Sequence, residues 1–254
     1  MVYPTVSCPL YEGRPIRDVT GDTIRPGGFA ITDRALAICS FAAGARVLDV
    51  GCGVGATVEH LICRYHLDAV GVDPSSVLLG QGRRRHPGLP LWEAAGENLP
   101  FGDGEMDGVF AECTLSVMES PDKALAECCR VLKDGGWLVV ADVYVRNPAG
   151  VDELHSLPLT GCLTGAMSVQ TLTQKISAGG FEVVLWEDHS RLLGELTARL
   201  ILAHGSMDMF WGCVSDRSVS CAEIKRTVQK ARPGYVLVLA KKTGSSKEGS
   251  CCND

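Results

Sequence analysis

From Arg46 onward the chain alternates between short, almost wholly apolar runs and stretches whose apolar residues recur every three or four positions. The runs predict strands over Arg46–Val50, Ala69–Asp73, Leu89–Ala94, Asp107–Cys113 and Trp137–Tyr144. The helical spacing predicts helices over Ala56–Tyr65, Ser75–Arg84 and Pro121–Leu132, the last stopped by Asp134-Gly135-Gly136. Strands buried on both faces and separated by helices imply a mostly parallel sheet covered on both sides, a Rossmann-like α/β fold.

The two ends differ from this core. Residues 1–28 are rich in Pro and Gly and read as irregular, and Phe29–Ala42 then carries a helical pattern. After Asn147-Pro148-Ala149-Gly150 a long connection leads to a helix at Ser168–Ala178, a strand at Phe181–Trp186, and helices at Ser190–His204 and Cys221–Lys230. Pro233-Gly234 turns into a final strand, YVLVLAKK, followed by the polar stretch GSSKEGSCCND. The reading is therefore an N-terminal segment and helix over 1–45, one α/β domain over 46–242, and a flexible Cys-containing tail over 243–254.

Composition narrows the function classes. The net charge of −6 predicts no general attraction to nucleic acid or anionic membranes, and the short basic runs Arg83-Arg84-Arg85 and Lys241-Lys242 read as solvated faces. No apolar run reaches the length of a bilayer span, and the first residues lack the pattern of a secretory signal, so the expected setting is cytoplasmic. The 12 cysteines should then be mostly reduced. CxxC does not occur, so no structural zinc spacing is present. The expected partner is a small-molecule substrate, with the chain a monomer or homodimer.

The decisive stretch is VLDVGCGVGATVEHL, a strand entering a glycine turn and a helix. Gly51, Gly53 and Ala56 satisfy a loose dinucleotide pattern, and Asp73 would hold a ribose for a dinucleotide or for S-adenosylmethionine. Three features separate the two. Asp49 ends the strand, where it would repel a pyrophosphate and favour a sulfonium and an ammonium. Glu97-Asn98-Leu99-Pro100-Phe101 follows the third strand, offering backbone donors and an apolar wall to an adenine. The closing helix, Pro-Gly and strand let the last strand insert antiparallel beside the fifth. S-adenosylmethionine is the cofactor these residues favour.

VLDVGCGVG, VGVDPS, GENLPF and the long run from Met106 to Tyr144 resemble the successive motifs of class I S-adenosylmethionine-dependent methyltransferases, most closely the ubiquinone/menaquinone-type group. The resemblance implies a seven-stranded sheet of order 3-2-1-4-5-7-6 with an antiparallel last strand. It places Asp49, Gly51, Cys52, Gly53 and Gly55 around the methionine part, and Asp73 and Pro74 at the ribose. Gly96, Glu97 and Asn98 would lie by the adenine, with Glu112 at the end of the fourth strand. The acid that often precedes the adenine motif is Ala95 here, leaving that contact missing or supplied by Glu97. Cys52 also reads simply as a residue packed behind the turn.

The methyl acceptor is less defined. A soft atom needs no base, whereas a hydroxyl or amine must lose a proton, for which Glu112, Glu119 and His155 are the candidates. ECTLSV and GCLTGA resemble two cysteine-bearing segments of arsenite methyltransferases, and DVY at Asp142–Tyr144 recurs there. That resemblance implies that Cys113 and Cys162 bind trivalent arsenic, with Cys8 or Cys39 as a possible third ligand and Cys251-Cys252 as a collecting tail. Glu112 stands where that family has Asn, and its N-terminal tyrosine-glycine-cysteine segment is absent. Taken singly, each cysteine reads as a small buried hydrophobe. Three alternatives stay open: methylation of an organic O, N or C acceptor, a cofactor-binding partner protein without turnover, and a nicotinamide oxidoreductase.

Overall fold

A computed structural model describes residues 9–215 and 219–244. Eight strands form one sheet: β1 (Arg46–Val50), β2 (Asp68–Asp73), β3 (Leu91–Glu93), β4 (Met106–Glu112), β5 (Leu132–Val145), β6 (Met167–Ser168), β7 (Phe181–Asp188) and β8 (Pro233–Lys242). The order is β3-β2-β1-β4-β5-β8-β7, with the two-residue β6 paired on β5. Neighbours from β3 to β5 run parallel. β8 lies antiparallel between β5 and β7, pairing Val140 with Val238 and Trp186 with Val238. Setting β6 aside, this is the expected seven-stranded order.

Helices cover both faces: α3 (Ala30–Cys39), α4 (Ala56–Tyr65), α5 (Ser76–Arg85), α6 (Pro121–Val131), α7 (Val151–His155) and α8 (Val169–Ala178). The sheet's two faces give two cores. One gathers Val47, Leu61, Phe110, Val139 and Leu237, and the other Leu48, Val109, Leu125, Leu138 and Val238. Alternate residues of one strand serve opposite cores, as the period of two requires. Both faces are dry, which is why these strands read as continuous apolar runs.

Several expectations need correction. The segment expected to be irregular holds α1 (Pro9–Glu12) and α2 (Arg14–Thr20), and Pro15 sits in the first turn of α2, where a missing N–H costs nothing. The third strand is three residues rather than six. The helix expected to reach Leu132 ends at Val131, and Asp134-Gly135-Gly136 falls within the span of β5. Beyond α9 (Ser190–His204) comes an unexpected helix, α10 (Met207–Val214), before α11 (Cys221–Ala231). Met207–Val214 is apolar apart from Asp208 and shows no period, but Ser206 caps it by accepting from the Met209 N–H at 3.1 Å. Val19 of α2 packs with Leu196, Leu200 and Phe210, so the N-terminal arm and the C-terminal helices make one cover over the sheet.

Candidate functional site

The sheet order reverses direction between β1 and β4, and a crevice opens at the carboxyl ends of those strands, where open α/β sheets bind ligands. The first cavity there has a volume of about 610 Å³. Asp49, Gly51, Cys52 and Gly53 of the glycine turn line it, as do Asp73 and Pro74 after β2. Gly96, Glu97, Glu112 and Glu119 line it too. Gly55, Asn98 and His155 do not. Gly55 instead faces Leu89 and Leu91, where a Cβ would approach to 2.8 Å, and the Asn98 N–H bonds to the Ala95 carbonyl at 3.1 Å.

The turn is shaped by its glycines. Gly51, Gly53 and Gly55 all have positive φ, 76°, 55° and 77°. A Cβ on Gly51 would lie 2.1 Å from Thr114 Cγ2, so the loop after β4 rests directly on the turn. The Asp73 carboxylate accepts from the Gly53 and Ser75 N–H groups, at 2.9 and 2.8 Å, which fixes its aim. Asp49 is buried, and that burial pushes its carboxyl up to about 8, with Glu112 and Asp73 adding to the shift and Arg25 opposing it.

Glu112, one of the candidate bases, is already engaged. It is ion-paired with Arg25 at 3.0 Å, both side chains almost wholly buried. Arg25 also donates to Thr57 and Thr32 at 2.9 and 2.8 Å, and Thr32 passes a bond on to Glu112 at 2.8 Å. Burial works against the Arg25 cation, and Glu112 together with Tyr235, Asp49 and Cys113 more than offsets it. A carboxylate committed to a buried guanidinium and a hydroxyl is a poor proton acceptor for a substrate. His155 is corrected as well: its Nε2 lies 2.9 Å from the Ala166 carbonyl and faces neither cavity. Arg25 and its network escaped the sequence reading because the partners lie up to 87 positions away.

A second cavity, about 580 Å³, lies under the N-terminal arm and α9 to α11. Its walls are mainly apolar, with Leu10, Ile16, Leu163, Leu196, Leu200 and Phe210 among them. Tyr11, Ile24, Cys113 and Thr160 line both cavities and so form the joint between them.

The two expected cysteines meet at that joint. The Cys113 and Cys162 sulfurs and an Asp142 carboxylate oxygen all lie within 4.8 Å of one another. The Cys162 thiol donates to the Cys113 carbonyl at 3.2 Å, and the Cys162 N–H donates to Tyr11 Oη at 2.8 Å. Tyr11 Oη also shares a 2.9 Å hydrogen bond with Cys162 Sγ, while Cys113 Sγ donates to Tyr235 Oη at 3.5 Å. The bond to Cys162 and burial together hold the Cys113 thiol well above its usual range. Cys113 has φ 58°. The four other non-glycine residues at positive φ among those described, Ile24, Ser40, His66 and Arg232, close helices, whereas Cys113 follows a strand. Such backbone strain is found where a site over-determines its residues.

Cys39 lies elsewhere, its charged neighbour being Lys241 at the far end of β8, and burial pushes its thiol up to about 12. Cys8, Cys251 and Cys252 fall outside the described residues. Cys52 packs against Gly71 behind the turn while also lining the first cavity.

Whether S-adenosylmethionine suits the first cavity can be tested on its own groups. The acidic floor of Asp49, Asp73 and Glu112 has Arg25 as its buried counter-charge, so a ligand bearing positive charge is favoured there. Thr114 Oγ1 is buried in the wall without a hydrogen-bond partner. Gly53 offers an open backbone: a Cβ on it would meet nothing closer than 4.0 Å. The cavity fits the group.

Residues 48–140 match a family described as Methyltransferase domain. That match makes residues 48–140 a methyltransferase domain, whose cofactor is S-adenosylmethionine. Demethylmenaquinone methyltransferase of Renibacterium salmoninarum is 38% identical over 129 residues, covering 50% of this chain and 54% of that protein. O-methyltransferase cnsE of Penicillium expansum is 31% identical over 156 residues, covering 56% and 54%. The chain thus spans about half the length of these curated relatives. Among solved structures, the [4+2]-cyclase SpnF superposes with a TM-score of 0.66 at 24% identity, covering 88% of this chain and 84% of that one. A Haemonchus contortus phosphoethanolamine N-methyltransferase 2 with S-adenosylhomocysteine gives 0.66 at 17%, covering 91% and 56%. These likenesses establish the fold of the methyltransferase domain, and a fold hosts many reactions.

Proposed function

We propose that the chain transfers a methyl group from S-adenosylmethionine to a small thiophilic acceptor, trivalent arsenic being the simplest, held by Cys113 and Cys162. The observation that carries this reading is the meeting of the two sulfurs at the joint of the cavities, although 49 residues separate them. S-adenosylmethionine supplies a methyl group on a sulfonium. Asp49 would face its positive charge, Asp73 would accept from the ribose hydroxyls, and Gly53 would admit close backbone approach. Two thiolates beside the first cavity would hold a soft atom in line with the methyl carbon, and alignment is much of what such a displacement needs. The acceptor's lone pair forms the new bond as the carbon–sulfur bond breaks, and that electron pair stays on sulfur as a thioether. Cys113 and Cys162 are both free thiols, as a reducing, cytoplasmic setting would keep them.

The test is S-adenosylhomocysteine formation by freshly reduced protein, with and without arsenite and a thiol, alongside Cys113→Ser and Cys162→Ser. Arsenite-dependent turnover lost in both variants is the expected outcome. Intact cofactor binding with no stimulation by arsenite would remove this acceptor.

The second cavity favours a second reading, an apolar organic acceptor with its reactive atom presented at the joint. Its walls give the volume and apolar lining of an organic ligand site, and relatives carry the names demethylmenaquinone methyltransferase and O-methyltransferase. Turnover of such an acceptor by Cys113→Ser at the wild-type rate would select it.

A further inference from the structure

Two sulfurs and a carboxylate converging on one point are more than an acceptor clamp requires. We propose that Cys113, Cys162 and Asp142 form a site for one divalent thiophilic cation, with zinc as its biological occupant and the fourth coordination position facing the cavities.

The three donors belong to different elements: Cys113 follows β4, Asp142 lies in β5 and Cys162 in the connection after α7. A tetrahedral zinc ion with sulfur ligands at about 2.3 Å has its sulfurs about 3.8 Å apart. Donor atoms already within 4.8 Å of one another reach that arrangement by side-chain movements of about an ångström. Two thiolates and one carboxylate neutralise a divalent charge with one negative charge to spare, and the mixed soft and hard set suits a d¹⁰ ion.

The surroundings are those of held ligands. Asp142 is 2% exposed and accepts from the Ser116 N–H and hydroxyl and the Val143 N–H, at 3.0, 2.6 and 2.7 Å. Tyr11 and Tyr235 place hydroxyls against the two sulfurs, at 2.9 and 3.5 Å. Partners of this kind fix the orientation of ligating groups. Cys113 lines both cavities and Cys162 the second, whereas Asp142 lines neither. The ion would therefore rest on Asp142 with its open side toward the joint, an arrangement of three protein ligands and one free position. On binding, both thiols release their protons to solvent. The inference does not depend on the arsenite reading, but it uses the same sulfurs, so cation and metalloid compete.

The experiment is an anaerobic titration of the reduced 254-residue chain with Cd²⁺, followed by the sulfur-to-cadmium absorption band. Zn²⁺ affinity is then measured by competition with a chromophoric chelator. Cys251→Ser and Cys252→Ser serve as background, so that the tail's neighbouring thiols do not contribute. One equivalent of tight binding is expected. Cys113→Ser and Cys162→Ser should each lose about half of the band and most of the affinity. Asp142→Asn should keep the band and lose at least about tenfold in affinity, and Ser116→Ala, which leaves all three donors, about tenfold. Cys63→Ser, an exposed thiol, should change nothing. S-adenosylhomocysteine binding by each variant verifies that it is folded. Tight binding unaltered in the two cysteine variants, or in a folded Asp142→Asn, overturns the site. Arsenite-dependent turnover is a separate reading, and its loss would leave this result standing.

Discussion

At Asp49 a carboxyl is held in its acid form by its surroundings, and this sets a pH signature. The unfolded chain releases that proton near pH 4, whereas the folded one keeps it up to about 8. Between those values the folded state holds more protons, so stability of the free protein falls as pH rises. Denaturant titrations across that window should show this slope in wild type and a shallower one in Asp49→Asn, where Asp142 and Asp73, also raised by burial, keep their share of it. Positive charge on the cofactor reverses the preference, favouring the carboxylate. Cofactor binding below about pH 8 should therefore release a proton, seen by calorimetry in buffers of different ionisation heat, and Asp49→Asn should abolish the release. The place of Asp49 in the first cavity was legible in sequence because its strand, turn and helix are contiguous. Asp142 was visible only as part of a recurring DVY, since its partner Ser116 belongs to another loop. Tyr11, 151 positions from Cys162, left no local signal.

Between elements, the buried Arg25–Glu112 pair ties the N-terminal arm to the end of β4. Removing one partner leaves an uncompensated buried charge, so Arg25→Ala should cost about 3–5 kcal/mol in denaturant unfolding. Arg25→Met with Glu112→Gln should recover much of that loss. The same hydrogen-bond network explains why Glu112 misled a reading based on position: the strand end was right, but the counter-charge comes from a stretch, RPGG, with no periodicity. The strands were legible as short continuous apolar runs because both faces of the sheet are buried, and the helices α3 to α6 because burial recurs every three to four residues. α10 was not, because eight residues with Asp208 as their one charge have no period to read, and α1 and α2 are too short to show one.

For the whole molecule, the two cavities divide the two acceptor readings. Leu200→Trp places a large ring in the second cavity while leaving the thiols and the first cavity untouched. An organic acceptor lodged there should lose at least about tenfold in kcat/KM, and arsenite-dependent turnover should stay within about twofold. Equal loss of both would mean that the acceptor routes are not separate. The arm, pinned at Arg25 and packed on α9 and α10, lies against both cavities through Tyr11 and Ile24. Letting go of it means pulling a guanidinium out of a carboxylate and two hydroxyls. The spent cofactor should then leave on the clock of that rare release, so that its residence time, not its affinity for the floor beneath, paces turnover. Stopped-flow displacement should show a slow departure that Arg25→Ala speeds up.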